Sequence, residues 1–389
     1  MRILHTSDWH LGRSFHREGM LLHQAAYVDH LLDVVDSERV DLVVVAGDVY
    51  DRALPHVDAV RLADESLVRL AASRAQVVLT SGNHDSAQRL GFSSRLIDAA
   101  GVYIRTDASG AGTPVGLPDD HGPVAVYGLP YLDPLALADP WSLPVRSHEA
   151  ALAVAMGKVR RDLATRSPGT RSVVLAHAFV AGGQPSESER DISVGGVSRV
   201  ASSVFDGVDY VALGHLHGAQ TLSDRVRYSG SPLAYSFSEA NQTKGSWLVD
   251  LGADGAVTAR FVAAPVPRPL ARIRGALDSV LADPTLEDAE RCWVHVTLTD
   301  QVRPGQPMER LRRRFPHTLV LAFEPGQADR AAVPTVRPGA RTDHEIALEF
   351  VREMRGVPAG DAESALLLQA CDACTEDADV DTLLSVGGA

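Results

Sequence analysis

Cysteine is scarce in this sequence, and the few cysteines are unevenly placed. Only three occur among 389 residues, at Cys292, Cys371 and Cys374. A disulfide framework needs more cysteines at regular spacing, so the composition predicts a reducing compartment. The pair Cys371-x-x-Cys374 has the spacing of some metal and redox sites. It lies in an alanine- and leucine-rich segment, however, where the same spacing is typical of a helix face.

Long apolar runs and an excess of positive charge are also lacking. No run reaches the roughly 18 residues that cross a bilayer, and Arg2 leads into strand-like sequence without a signal-peptide pattern. We therefore expect a cytoplasmic protein that does not span a membrane. The net charge of −13 argues against a broad basic surface for nucleic acid. A phosphate-bearing partner would instead need metals, local arginines or another subunit.

Short apolar runs alternate with segments of helical spacing over the first half of the chain. The predicted strands lie at 2–6, 40–46, 76–80, 124–129, 172–176 and 210–213, and the predicted helices at 21–37, 57–73, 86–99 and 148–165. This alternation is typical of βαβ crossovers and predicts an α/β fold with a buried, largely parallel sheet. Residues 227–230 and 247–251 are expected to pair as antiparallel strands that close the layer.

The proline-rich run 265–269 is the best candidate for a domain boundary, because proline fixes φ and removes hydrogen-bond donors. We expect a first domain over 1–264 and a small α+β domain over 270–326. A second linker is predicted at 327–341, rich in alanine, proline and arginine. Two C-terminal helices are expected within 342–376.

Five of the apolar runs end in side chains that bind metals. These side chains are Asp8, His10, Asp48, Asn83, His177, His215 and His217. Ligands collect outside the carboxyl ends of parallel strands, so we expect the seven to lie together. One divalent ion needs fewer ligands, and two ions that share a bridging carboxylate can promote phosphoryl displacement. Oxygen and imidazole ligands favour manganese, iron or zinc, and the sequence leaves that choice open.

His84 and Asp85 follow the candidate ligand Asn83 directly. If Asn83 faces a metal, His84 is placed to face the substrate and act as a general acid. Asp85 would then orient the imidazole of His84. Of the other polar residues, Arg52 is read either as a phosphate contact or as a loop ion pair. Arg310, Arg312, Arg313 and Arg314 are read either as phosphate contacts or, more commonly for such a run, as a solvated helix face.

The motifs together resemble the calcineurin-like metallophosphoesterases. The segments that carry the likeness are Asp8-x-His10, Gly47-Asp48-x-x-Asp51, Gly82-Asn83-His84-Asp85, His177 and Gly214-His215-Leu216-His217. Within that superfamily, segments 4–12, 189–196 and 228–232 are similar to the SbcD family of bacterial nuclease subunits. The likeness covers nearly the whole chain, and Asp51 follows the bacterial pattern where other relatives often carry histidine.

The resemblance implies a β-sandwich flanked by helices, with a small α+β capping domain and C-terminal helices. It implies a manganese-dependent nuclease that trims double-stranded DNA ends and opens hairpins in DNA repair, recombination and replication. Asp8, His10, Asp48 and His217 would hold one ion, and Asp48, Asn83, His177 and His215 the other. His84 would be the catalytic acid.

The same resemblance implies partners and a place in the cell. The C-terminal helices would dock on the ATPase SbcC, which binds ATP, and two copies of the chain would pair through their N-terminal helices. The complex would be associated with the nucleoid. Two other functions stay open from the residues alone, because the metal motifs are shared by phosphatases and small-molecule phosphodiesterases, and a scaffold could keep the fold without activity. A scaffold is expected to lose ligands, and none of the seven is missing.

Overall fold

The computed structural model describes residues 1–192, 199–325 and 342–384, with the backbone alone for 374–384. The chain divides into two compact units, Met1–Gly326 and Gln327–Ala389, each of which is described by itself. The predicted linker at 327–341 and the last part of the motif at 189–196 lie outside the described residues.

The described strands, in chain order, are β1 (Arg2–Thr6), β2 (Ser14–Phe15), β3 (Glu18–Gly19), β4 (Leu42–Ala46), β5 (Gln76–Thr80), β6 (Val102–Arg105), β7 (Val115–Asp119), β8 (Gly122–Gly128), β9 (Arg171–His177), β10 (Tyr210–Gly214), β11 (Gln220–Thr221), β12 (Val226–Tyr228), β13 (Gly245–Leu251), β14 (Val257–Ala263), β15 (Leu270–Gly275), β16 (Trp293–Leu298) and β17 (Thr318–Phe323). The described α-helices are α1 (Leu21–Ser37), α2 (Val57–Ala71), α3 (Ala87–Leu90), α4 (Ser94–Ile97), α5 (Pro134–Leu137), α6 (His148–Leu163), α7 (Leu277–Ala282), α8 (Pro307–Arg314), α9 (Asp343–Arg355) and α10 (Asp361–Leu384).

Two six-stranded sheets form a sandwich in the first unit. Their strand orders are β14-β13-β1-β4-β5-β6 and β11-β12-β10-β9-β8-β7. The middle strands of each sheet run parallel, whereas β13, β14, β7 and β11 pair antiparallel at the edges. Helices α1 and α2 cover the outer face of the first sheet, and α6 covers the second. The predicted α/β sandwich flanked by helices is confirmed.

Strand β4 illustrates why an uninterrupted apolar run is needed here. Its side chains alternate between two faces, so Val43 and Val45 pack toward the helices while Leu42 and Val44 pack against the other sheet. All four are fully buried. A strand buried on both faces has no position for a polar side chain, and polar groups therefore begin only where the strand ends.

Three local predictions differ from the structure. The helix expected over 86–99 is interrupted into α3 and α4, with Gly91 after the first piece and Ser93 at a left-handed φ of 60° before the second. Strands β6 and β14 were not predicted. The antiparallel pairing of 227–230 with 247–251 is wrong, because β12 runs parallel to β10 while β13 pairs with β1 and β14 in the other sheet.

The residues after the proline run form a subdomain around a three-stranded parallel sheet. Strands β15, β16 and β17 lie in sequence order, and α7 and α8 pack on them through Leu277, Val280 and Leu311. A second apolar cluster, in which Trp293 contacts Phe15, joins this subdomain to the sandwich. Because subdomain and sandwich fall in one compact unit, the predicted boundary at 265–269 stays a prediction.

The C-terminal unit contains α9 and α10. A capping box between Thr342 and Glu345 begins α9, and the ion pair of Arg355 with Glu363 joins the two helices at 2.8 Å. Large apolar side chains on α9 stay exposed, among them Phe350 at 61% and Met354 at 74%. In the described part of the chain, none of the helices is both long and apolar enough to cross a membrane.

Candidate metal centre

Five strand ends from the two sheets meet at one edge of the sandwich. Asp8 and His10 follow β1, Asp48 follows β4 and Asn83 follows β5 in the first sheet. In the second sheet, His177 is the last residue of β9, and His215 and His217 follow β10. Parallel strands end at the same edge, so face-to-face packing of the sheets brings both sets together.

The ligand atoms of these residues are close enough to share cations. Three groups have all their ligand atoms within 4.8 Å of one another: Asp8 with His10 and His217, His10 with Asp48 and His84, and Asp8 with Asp48 and His177. Nε2 of His10 lies 3.0 Å from Nε2 of His217, and Nε2 of His177 lies 3.4 Å from Oδ2 of Asp48. Asp48 thus lies between the two sides of the centre.

Asn83 extends the cluster toward the second sheet. Its Oδ1 lies 2.9 Å from Nε2 of His177 and 3.2 Å from Nδ1 of His215. Among the described residues, buried Nδ1 of His10 and Nδ2 of Asn83 have no hydrogen-bond partner. Carboxylate, amide and imidazole groups that converge in this way are ligand types that divalent cations bind. The residues therefore fit a binuclear divalent metal site.

Backbone carbonyls fix the orientation of two of the imidazoles. Nδ1 of His177 lies 2.9 Å from the carbonyl oxygen of Ala46, and Nδ1 of His84 lies 2.8 Å from that of Asp51. A carbonyl oxygen only accepts, so each Nδ1 carries a proton, and Nε2 is the ring nitrogen left free to bind a cation or to take a second proton. Both rings thereby present Nε2 to the centre.

Burial and neighbouring charges perturb the titration of the centre. Burial opposes ionisation of Asp48, but the neighbouring His177 and His10 outweigh it and hold the pKa of this carboxyl well below its usual value. Burial raises the pKa of Asp8 and lowers the pKa values of His10 and His215. Burial opposes protonation of His177, but the neighbouring Asp48 outweighs it and raises the pKa of this imidazole to about 9. A cation needs deprotonated ligands, so binding at His177 is coupled to proton release.

The backbone is strained at four of the candidate ligands. Positive φ angles occur at Asp8 (54°), His10 (46°), Asp48 (50°) and His215 (101°). Residues other than glycine rarely adopt this conformation, and such strain is concentrated at functional sites. Backbone hydrogen bonds from Asp8 to Gly47 and from His10 to Asp48, each 3.0 Å long, hold two of these strained turns together.

The structure corrects the role expected for Asp85. Its carboxylate accepts hydrogen bonds from the backbone amides of Val49 (3.1 Å), Tyr50 (2.8 Å) and Gly82 (2.9 Å) and thereby ties together the two loops after β4 and β5. The turn at 82–85 directs the side chain back onto these amides. The expectation that Asp85 orients His84 is wrong, because the carbonyl of Asp51 has that position.

His84 lies where the sequence placed it, beside the ligands. Its backbone amide donates to Oδ1 of Asp48 at 2.9 Å, and its ring meets the ring of His10 edge-on at 4.7 Å between centroids. The ring is partly exposed, unlike that of His10. It therefore combines contact with the centre and access from solvent.

The arginines that could contact phosphate or form structural contacts all have partners within the protein. Arg310 pairs with Asp278, Arg313 with Glu309 at 2.7 Å, and Arg314 with Glu290 at 3.0 Å. Arg312 donates to the carbonyl of Thr318 at 3.3 Å. These contacts favour the structural interpretation of the run. The structure supports a loop ion pair for Arg52 as well, since its Nε lies 3.6 Å from Oδ2 of Asp51 while 82% of the side chain is exposed.

Sequence reasoning missed the polar residues behind His217. Ser188, Glu239 and Lys244 form a buried hydrogen-bonded chain that ends on this imidazole. Ser188 lies in the connection between β9 and β10. Nothing in the sequence pattern distinguishes Glu239 and Lys244 from surface residues.

Comparison with known families decides the assignment. Residues 1–219 match the model of the calcineurin-like phosphoesterases. The chain belongs to this family. Residues 266–355 of this phosphoesterase match a second model, SbcD_C, described as the type 5 capsule protein repressor C-terminal domain. The two matches in one chain support an SbcD-type subunit.

Solved structures show only a distant likeness to this phosphoesterase. GAP50, the anchor in the inner membrane complex of Plasmodium, is 14% identical over 68% of this chain and 84% of its own, with a TM-score of 0.42. The protein TT1561 of Thermus thermophilus is 12% identical over 67% of this chain and 98% of its own, with a TM-score of 0.38. Such low scores add nothing to the assignment, which rests on the family matches.

Proposed function

We propose that this chain is the nuclease subunit of an SbcCD-type complex, a manganese-dependent enzyme that hydrolyses phosphodiester bonds at DNA ends and hairpins. The observation that carries the proposal is the SbcD_C match at 266–355, which follows a phosphoesterase domain with all seven candidate ligands. The phosphoesterase domain alone is compatible with other phosphate esters. The second match favours DNA as the substrate.

Within this proposal, the ligands divide between two cations that share Asp48. One cation is held by Asp8, His10, Asp48 and His217, and the other by Asp48, Asn83, His177 and His215. The close approaches of His10 to His217 and of His177 to Asp48 support this division. When bound, two divalent cations would supply an activated water and neutralise charge on the phosphoryl oxygens.

His84 is the proposed general acid. Its Nδ1 hydrogen is held by the carbonyl of Asp51 at 2.8 Å, so Nε2 is the atom that can deliver a proton to the leaving oxygen. The hydrogen bond from the backbone amide of His84 to Asp48 fixes the distance between the acid and the bridging ligand. Asp85 positions both loops by binding their amides and does not itself touch the His84 imidazole in this arrangement.

The proposed partners are a second copy of the chain and the ATPase SbcC. Exposed apolar side chains on and near α2 support pairing of two copies, among them Leu54 (68%), Val57 (59%) and Val68 (61%). Exposed Ile346 and Phe350 on α9 support docking of the C-terminal helices on the ATPase. The α+β subdomain at 270–325 would cover the DNA.

A comparison of substrates tests the proposal. We expect the chain, with manganese and its ATPase, to cleave a DNA hairpin far faster than an aryl phosphate monoester. His84→Ala should bind metal normally and lose about 10²- to 10⁴-fold in hydrolysis, because only proton delivery is removed. Asp48→Ala should lose both metal and activity. His121→Ala, on an exposed turn, is the control.

Three results would each contradict one part of the proposal. Faster turnover of the aryl phosphate than of DNA would indicate a phosphatase or small-molecule phosphodiesterase. Normal cleavage by His84→Ala would remove the proposed acid, and normal cleavage by Asp48→Ala would remove the bridging ligand.

A further inference from the structure

A buried chain of hydrogen bonds stands behind His217, on the side away from the other ligands. Nδ1 of His217 lies 2.5 Å from Oγ of Ser188, and this hydroxyl also lies 2.5 Å from Oε1 of Glu239. The other carboxylate oxygen of Glu239 pairs with Nζ of Lys244. Four side chains are thus connected in series, from a charged pair to a candidate ligand.

The chain is almost completely withdrawn from solvent. Exposure is 9% for Ser188, 1% for His217, 1% for Glu239 and 7% for Lys244. Lys244 also donates to the carbonyl oxygen of His217 at 2.7 Å, so the charged pair holds this residue at its backbone as well as at its ring. A buried ion pair contributes little to stability compared with apolar packing, and its location on a candidate ligand indicates another role.

The direction of the hydrogen bonds follows from the chemistry of each group. A carboxylate only accepts, so the Ser188 hydroxyl donates its hydrogen to Glu239. Its oxygen is then left to accept from Nδ1 of His217. The imidazole therefore carries its proton on Nδ1 and presents the lone pair of Nε2 toward His10.

The segment that carries Glu239 is itself fixed from the opposite side. Glu239 ends a short 3₁₀ helix, Phe237–Glu239, whose first residue packs on Phe15 at 5.0 Å and on His295 of the subdomain at 5.4 Å between ring centroids. Rigid packing on one side and the ion pair on the other leave the carboxylate little freedom. Groups that orient a metal-bound histidine need such restraint.

We propose that Glu239 and Lys244 are positioning residues that act through Ser188 to set the tautomer and orientation of His217. The inference deepens the proposed function, since it rests on His217 serving as a metal ligand.

Ser188→Ala is the decisive variant, because it removes the bridge and leaves the ion pair intact. We expect manganese affinity, measured by calorimetric titration of the full chain, to fall about 10- to 100-fold. The visible spectrum of the cobalt-loaded chain should change, because the geometry at His217 is released. Ser188→Thr keeps the hydroxyl and should restore both readouts.

Ser223→Ala is the matched control. Ser223 is exposed on the turn before β12, and its hydroxyl oxygen accepts from the backbone amides of Arg225 and Val226. Manganese affinity should stay within about threefold of the parent, below the range expected for lost outer-shell partners. Glu239→Gln should reproduce the cobalt spectrum of Ser188→Ala, and thermal unfolding would show whether the chain still folds.

The outcomes separate this inference from the proposed function. If the parent binds two manganese ions and Ser188→Ala binds them with the same affinity and cobalt spectrum, the positioning role is wrong while the metal centre stands. If the parent binds no divalent ion, both are wrong. A loss shared equally by Ser223→Ala would show a general effect of replacing serine and would also overturn the inference.

Discussion

Replacement of Gly82 by alanine tests whether the position of Asp48 controls the centre. A Cβ atom at residue 82 would lie 2.1 Å from Oδ1 of Asp48 and 2.5 Å from its backbone nitrogen. These atoms must separate by roughly 1 Å to reach an ordinary carbon contact of about 3.4 Å. The loop after β5 cannot recede freely, because Asp85 ties the amides of Gly82 and Tyr50 together. We therefore expect the bridging carboxylate to move.

The size of the effect follows from the displacement. A misplacement of about 1 Å in a reacting centre costs on the order of 10²-fold in rate, which corresponds to about 2.7 kcal/mol of transition-state stabilisation. Overpacking should lower the free energy of unfolding by about 1 to 3 kcal/mol as well. Hydrolysis of an aryl phosphodiester at saturating manganese measures the first effect, and urea unfolding measures the second.

Gly116→Ala provides the control for this prediction. Gly116 lies in β7, and an added Cβ there would meet nothing within 4 Å. We expect this variant to keep the activity of the parent. Equal activity of Gly82→Ala and Gly116→Ala, with unchanged manganese affinity in both, would refute the proposed dependence of the centre on the Asp48 position.

The remaining predictions concern the ion pair between Arg171 and Asp119 and the C-terminal unit. Arg171 is 2% exposed, and its hydrogen bond to Asp119 holds the pKa of that carboxyl below its usual value. The ion pair therefore stabilises the folded chain fully above about pH 4. Its contribution is lost as the pH falls through the lowered pKa. Asp119→Asn should lower the free energy of unfolding by about 3 kcal/mol at pH 7 and by less at pH 3, as measured by urea unfolding. An equal loss at both pH values would contradict the proposed role of the ion pair. Deletion of residues 342–389 should spare manganese-dependent hydrolysis and abolish association with the ATPase, and co-purification of the truncated chain with SbcC would show that docking lies elsewhere.

The strand ends could be predicted because burial leaves a strong local signal. Strands buried on both faces are mostly apolar, so the polar residues that follow Leu42–Ala46 or Gln76–Thr80 stand out in the sequence. The same logic located His177 and His215. The meeting of ligands within each sheet follows from the parallel order of its strands. The meeting of the two sets depends on the packing of one sheet against another, whereas the strand pattern predicted a single sheet.

Partners far apart in the chain could not be predicted in this way. The pairing of β12 with β10 depends on which sheet β12 joins. The connection at 229–244 then takes the chain to β13 in the other sheet, and this connection has no periodic pattern. Ser188 and Glu239 meet across 51 residues, and hydrogen bonds over such distances leave no spacing in the sequence. The role of Asp85 was wrongly predicted for a local reason. The direction of its side chain depends on the backbone dihedral angles of the turn at 82–85.

The strained ligand residues show how the fold holds this centre. Left-handed conformations at Asp8, His10, Asp48 and His215 each cost of order 1 kcal/mol or more, and the loops alone would relax them. The restraint comes from outside the ligands, through strand-end hydrogen bonds such as that from Asp8 to Gly47 and through the amides bound by Asp85. Because these contacts adjoin the ends of packed strands, we expect the ligand geometry to form with the fold. The strain is therefore part of the folding free energy, and the binding free energy of the cations need not be spent on ordering the loops.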